Sequence, residues 1–132
     1  MLDYPAKVLV AFGETFRGKR EFYEWLVRNG YPELAALSST IRGSEEAFEW
    51  LVENGYRPLA ALDSAIDNNA SASDWLRKNH YNFLATFADA CNKDQDAREW
   101  LHKNDLRIFL FLASRINEFR DNQIFDVHRL HF

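Results

Sequence analysis

The sequence predicts an all-α fold, a right-handed solenoid of stacked helical hairpins with a 25-residue repeat. Three observations predict it. Tryptophan occurs at 25, 50, 75 and 100 and nowhere else. Its neighbours keep the same step: Leu26, Leu51, Leu76 and Leu101 follow it, and Asn29, Asn54, Asn79 and Asn104 come four residues after it. Within each unit the apolar residues recur at spacings of three, four and seven, the period of a helix face. So many columns in step mark an internal repeat, in which each unit supplies the surface that the next must cover.

The elements follow in order within one domain, residues 1–132. Leu9, Phe12 and Phe16 stand one period before Leu34, Leu37 and Ile41, so residues 1–18 are the second half of a unit. Repeats follow at about 19–43, 44–68, 69–93 and 94–118, giving about four and a half units. In each repeat one helix runs near Glu45 to Asn54 and the other near Glu33 to Ile41. Pro32 and Pro58 sit where a first helical turn tolerates proline. Gly30 and Gly55 occupy the left-handed position that ends a helix, and His80 and Asp105 replace them in later copies. Gly43-Ser44 and Asn68-Asn69 mark the other turn. At roughly 8–10 Å between packed helices, an open stack is about 40–50 Å long. The last units break step. "IFLFL" (Ile108 to Leu112) is more apolar than its counterparts, the helix overruns through Phe119, and residues 119–132 form a C-terminal cap through Ile124, Phe125, Val127, Leu130 and Phe132.

The columns have structural readings. The Trp column is expected in the core, with Trp50→Ala costing ~3–5 kcal/mol. The Asn column fits either a C-terminal helix cap or a buried ladder between units. Glu24, Glu49, Asp74 and Glu99 form a solvated edge rather than catalytic carboxylate pairs, which need burial or close like charge. Cys91 stands in the column of Ile41, Ile66 and Ile116 and is read as a small core residue. No Gly-rich phosphate loop, nucleophile elbow or H-E-x-x-H occurs.

Composition bounds the function. The chain has 132 residues, 47% apolar and 15% aromatic, enough for one packed domain. A single cysteine and an N-terminus without a secretory or membrane-spanning pattern point to a cytoplasmic protein. The net charge is −4, but unevenly spread: residues 1–43 net +1, 44–75 net −6 and 76–132 net +1. The acidic middle disfavours a nucleic-acid partner, which needs clustered Lys and Arg; only "RGKR" (Arg17 to Arg20) keeps that alternative open. No cofactor is expected. A metal-binding or enzymatic alternative rests on His128 and His131, three apart and near Asp126.

At "GSEEAFEWLVENGY" (Gly43 to Tyr56) the wording resembles an ankyrin repeat. Gly43, Glu46, Ala47, Trp50, Leu51, Asn54 and Gly55 match that family's second helix in order. The resemblance covers this helix and its flanking turns. The "TPLH" opening is absent, and the unit is shorter than the family's ~33 residues by about the length of the β-hairpin finger. The resemblance implies a finger-less, non-enzymatic protein–protein interaction scaffold.

Two features nominate its binding surface. Glu45, Glu46, Glu49 and Glu53 crowd one helix, and Glu45, Glu49 and Glu53 are candidates to attract a basic segment. Tyr23 with Val27, and one repeat later Phe48 with Val52, put an apolar strip on the outer face, where later repeats carry Ser73 with Arg77 and Arg98 with His102. The strip is expected to dock a partner protein or a second copy of the chain as a homodimer.

Overall fold

The structure, a computed structural model, describes residues 1–130, with side chains to Gln123. Among the described residues it is all-helical. Five inner helices, α1 (Ala6–Glu14), α3 (Pro32–Ile41), α5 (Arg57–Ile66), α7 (Asn82–Cys91) and α9 (Arg107–Leu130), alternate with four outer ones. The outer helices are α2 (Arg20–Arg28), α4 (Glu45–Glu53), α6 (Ala70–Lys78) and α8 (Gln95–Lys103). A single 3-10 turn, Thr15–Arg17, follows α1.

The turns explain why the hairpins form. Each outer helix except α2 begins at a side-chain cap: Ser44, Asn69 and Asp94 accept from the backbone N–H groups of Ala47, Ala72 and Ala97. The residue before each cap is left-handed, Gly43, Asn68 and Lys93. Each outer helix ends when the Tyr31, Tyr56, Tyr81 or Leu106 N–H reaches back to the carbonyl of Leu26, Leu51, Leu76 or Leu101, closing a Schellman turn. The intervening residue is left-handed as well, and His80 and Asp105 adopt φ of 66° and 58° where Gly30 and Gly55 stand earlier.

Each inner helix packs on the next, and α9 packs on α1. The stack therefore curls until its ends meet. The open length expected from the repeat alone does not occur: helices that would stand four layers apart touch. The inner helices surround a filled axis in layers of five. Phe12, Leu37, Leu62, Phe87 and Leu112, one per inner helix and 25 residues apart, are all fully buried. A layer of Leu9, Leu34, Leu59, Leu84 and Phe109 lies to one side, and Phe16, Ile41, Ile66, Cys91 and Ile116 form the third. Each outer helix is wedged over the seam between two inner helices and anchored by one fully buried residue, Leu26, Leu51, Leu76 or Leu101.

The Trp column corrects the expectation of a core position. Trp25, Trp50 and Trp75 are half-buried and Trp100 is 44% exposed, while the adjacent Leu column carries the core. Two of the indoles instead stack on the tyrosine of the following turn, Trp50 on Tyr56 at 5.8 Å and Trp75 on Tyr81 at 6.0 Å between centroids. The Asn column is a cap and not a ladder: Asn29, Asn54, Asn79 and Asn104 each donate Nδ2 to the Trp carbonyl four residues back in their own helix, at 2.7–2.8 Å.

As far as Leu130 the C-terminal segment is helical, a continuation of α9. Its described part closes one end of the ring and does not cover the last hairpin alone. Phe119 meets Phe16 of the 3-10 turn, with Arg42 over its ring. Arg120 donates to the carbonyl of Ile66 at 2.8 Å and to Oδ1 of Asn92 at 3.4 Å, and lies 3.9 Å from Asp67. The inner helices run the same way, so their negative C-terminal ends gather here, where an arginine is favoured. The side chains of Ile124, Phe125, Val127, Leu130 and Phe132 lie outside the described residues.

Candidate functional site

Closure of the ring decides what the outer face offers. Five inner helices at ~9–10 Å spacing place outer helices seated in their seams ~17 Å apart, too far to pack on each other. The structure agrees: no pair of outer helices makes a substantial contact. Grooves therefore run between them, floored by the outward residues of an inner helix. On α3 and α5 these are small, Ala35, Ala36 and Ser39, then Ala60, Ala61 and Ser64.

The groove between α2 and α4 encloses a cavity of about 450 Å³. Its floor is Pro32, Ala35, Ala36 and Ser39; Tyr23 and Val27 line the α2 wall, and Ala47, Trp50 and Glu46 the α4 wall. Val27 is 47% exposed, although it is apolar. Two of the four residues of the expected strip thus come together here. Phe48 and Val52 do not line this cavity. Their positions, one repeat on from Tyr23 and Val27, put them on the opposite flank of α4, toward α6, and both are half-buried. The ridge of α4 splits the strip in two.

That ridge carries the charge. Glu45, Glu46, Glu49 and Glu53 are all exposed, and none has an ion-pair partner among the described residues. Across the groove, by contrast, Glu24 is paired with Arg20 at 3.3 Å. Glu53 is also out of keeping with its column: the equivalent residues are Arg28, Lys78 and Lys103, cations in the last turn of their helices. A carboxylate there opposes the helix dipole and repels Glu49 one turn earlier.

Other candidates resolve quietly. Burial pushes the Cys91 thiol up to about 12, so it is an inert core residue. Among the described residues no three His, Cys, Asp or Glu side chains gather as a metal site, and His128 and His131 lie beyond the described side chains. No described helix is long and apolar enough to cross a membrane. A second cavity, about 410 Å³, opens at the N-terminal end of the ring beside Tyr4, Tyr56 and Tyr81. There Tyr4 donates to the buried carboxylate of Glu33 at 2.8 Å, which holds the leading segment in place.

The groove floor is what sequence reasoning missed. Its signal was present in the small Ala-Ala pairs at 35–36 and 60–61, which floor a groove only because the ring splays the outer helices apart over them. No protein-family model, curated protein or solved structure matches the chain.

Proposed function

We propose that the protein is a non-enzymatic protein–protein interaction scaffold of the cytoplasm that binds through its outer helical face. The observation that carries this reading is the α2–α4 groove: an apolar cleft with an exposed valine on one wall and Glu46 on the other, beside Glu45, Glu49 and Glu53 on the same helix, none of them ion-paired among the described residues. The ring behind it is filled, so the groove is presented on a rigid frame, and binding there costs little reorganisation. The resemblance of α4 to the second helix of an ankyrin repeat supports the same reading.

Affinity capture with the tagged chain from its native cell tests it. The expected result is a protein recovered in near-equal amount with the bait. Recovery of nucleic acid or a small molecule in place of a protein overturns the proposal.

A further inference from the structure

Resting on the scaffold reading, we infer that the α2–α4 groove docks a short amphipathic helix of a partner protein, apolar on one face and rich in Lys or Arg along the flank that meets α4. Three observations choose this occupant. The first is shape. Outer helices ~17 Å apart leave a site in which a third helix lies ~10 Å from both of them and from α3 beneath, the normal distance for packed helices. The walls are two nine-residue helices, so the site accepts about three turns. The second is the lining. Tyr23, Val27, Ala36 and Trp50 offer apolar contacts spread along the groove, matched by residues at i, i+3, i+4 and i+7 of a docked helix. An extended strand would find no sheet edge to pair with among the described residues, and its backbone groups would be left unsatisfied against the alanine floor.

The third is charge, and it fixes the partner's sign. Glu46 lines the groove, and Glu45, Glu49 and Glu53 stand on the same helix without an ion-pair partner among the described residues. A basic flank would neutralise them. The neighbouring grooves are less suited. Between α4 and α6 the column of Glu53 becomes Lys78, and between α6 and α8 Arg77 replaces Val52 and is tied to Asp89 at 2.9 Å.

The test uses the whole chain and three synthetic peptides of about 14 residues, long enough for the groove. One is an amphipathic Leu/Lys helix, one has Glu in place of Lys, and one has the Leu/Lys composition scrambled so that no apolar face forms. Binding is followed by amide chemical shifts and by stopped-flow fluorescence. The inference expects the Leu/Lys helix alone to bind, with shifts centred on Tyr23, Val27, Ala36 and Trp50. Val27→Arg should abolish binding, while Glu49→Lys with Glu53→Lys should slow association about tenfold at low salt and much less at high salt. Thermal melts of each variant establish that the fold is kept. Equal binding of the Leu/Glu helix, equal binding of the scrambled peptide, or shifts centred elsewhere would each overturn the inference. So would sedimentation showing that the groove is filled by a second copy of the chain. If capture recovers a partner whose binding ignores Val27→Arg and the two charge reversals, this docking mode fails while the scaffold reading stands. If nothing protein is captured, the scaffold reading fails by itself.

Discussion

Phe111 lies on Gly13 across the seam where the last inner helix meets the first. A Cβ on Gly13 would come within 2.7 Å of Phe111 Cε2 and 3.0 Å of Leu112 Cδ2. Arg115 stacks on the outer side of the same ring at 4.8 Å and reaches Glu14 with Nε at 3.6 Å. The other four seams are each covered by an outer helix. Here a phenyl ring, a guanidinium and a carboxylate cover the seam in its place, and the absent side chain of Gly13 makes the room.

Enlarging Gly13 should therefore pry the ring open. Gly13→Leu is expected to destabilise the fold by ~1–3 kcal/mol through overpacking. Phe111→Ala should remove part of that cost, so the double variant departs from additivity by more than ~0.5 kcal/mol in a denaturant-melt cycle. Additive effects would separate the two residues.

The adjacent Leu and Trp columns should behave differently. Leu51 is 0% exposed and wedged over the α3–α5 seam. Its replacement by Ala should cost ~2–5 kcal/mol. Trp50→Ala loses a half-exposed ring and its stack on Tyr56, and should cost only ~1–2 kcal/mol. Chemical denaturation of both variants ranks them, and a larger loss for Trp50 would contradict the assignment of the core.

This pair shows what was legible in the sequence. The 25-residue period placed every hairpin and nearly every boundary, because turn residues such as Gly30, Gly43 and Pro32 act locally. It also marked Val27 and the glutamates of α4 as unusual in their columns. Periodicity could not separate Trp50 from Leu51, since neighbours on a helix both border the apolar arc and only the packing angle decides which points inward. Curvature was also hidden. Whether a stack runs straight or closes depends on the wedge between successive inner helices, set by the summed sizes of seam residues such as Thr15, Ser38, Ala65 and Ala88. The two exceptions that complete the ring, Gly13 and Phe111, look like ordinary variation until they are seen in contact. The split of Tyr23 and Val27 from Phe48 and Val52 follows from the same closure.

Glu53 should cost the free protein stability. Glu53→Lys restores the cation that Arg28, Lys78 and Lys103 supply to the other outer helices and removes the repulsion from Glu49. The variant is expected to gain ~0.5–1 kcal/mol and to melt a few degrees higher. Thermal melts at low salt measure this, and a lower melting temperature would count against Glu53 as a residue kept for binding.

Asp63 makes stability depend on pH. The 25-residue register sets it in the α3–α5 seam, where Thr15 and Ser38 bond each other at 2.7 Å in the preceding seam. Its carboxyl has no hydrogen bond among the described residues. Burial, with the charge of Asp67 and against that of Arg120, pushes it up to about 7. The folded chain thus holds this proton more tightly than the unfolded one. The contribution is present in full below the ordinary value of 3.8 and is lost as pH rises through about 7. Asp63→Asn should therefore gain on the wild type between pH 5 and pH 8, and a constant difference in melting temperature across that range would contradict the buried carboxyl.

The proposed docking groove depends on the ring being closed, since closure is what parts α2 from α4. Nitroxide labels at Lys7→Cys on α1 and Arg107→Cys on α9, nearly level across the seam, measure it directly, with the buried Cys91 left in place. Both positions are exposed. A closed ring sets these helices side by side, with axes ~10 Å apart, and predicts strong dipolar broadening in the electron paramagnetic resonance spectrum; an open stack would hold them four layers apart, ~35–40 Å, and leave the lines narrow.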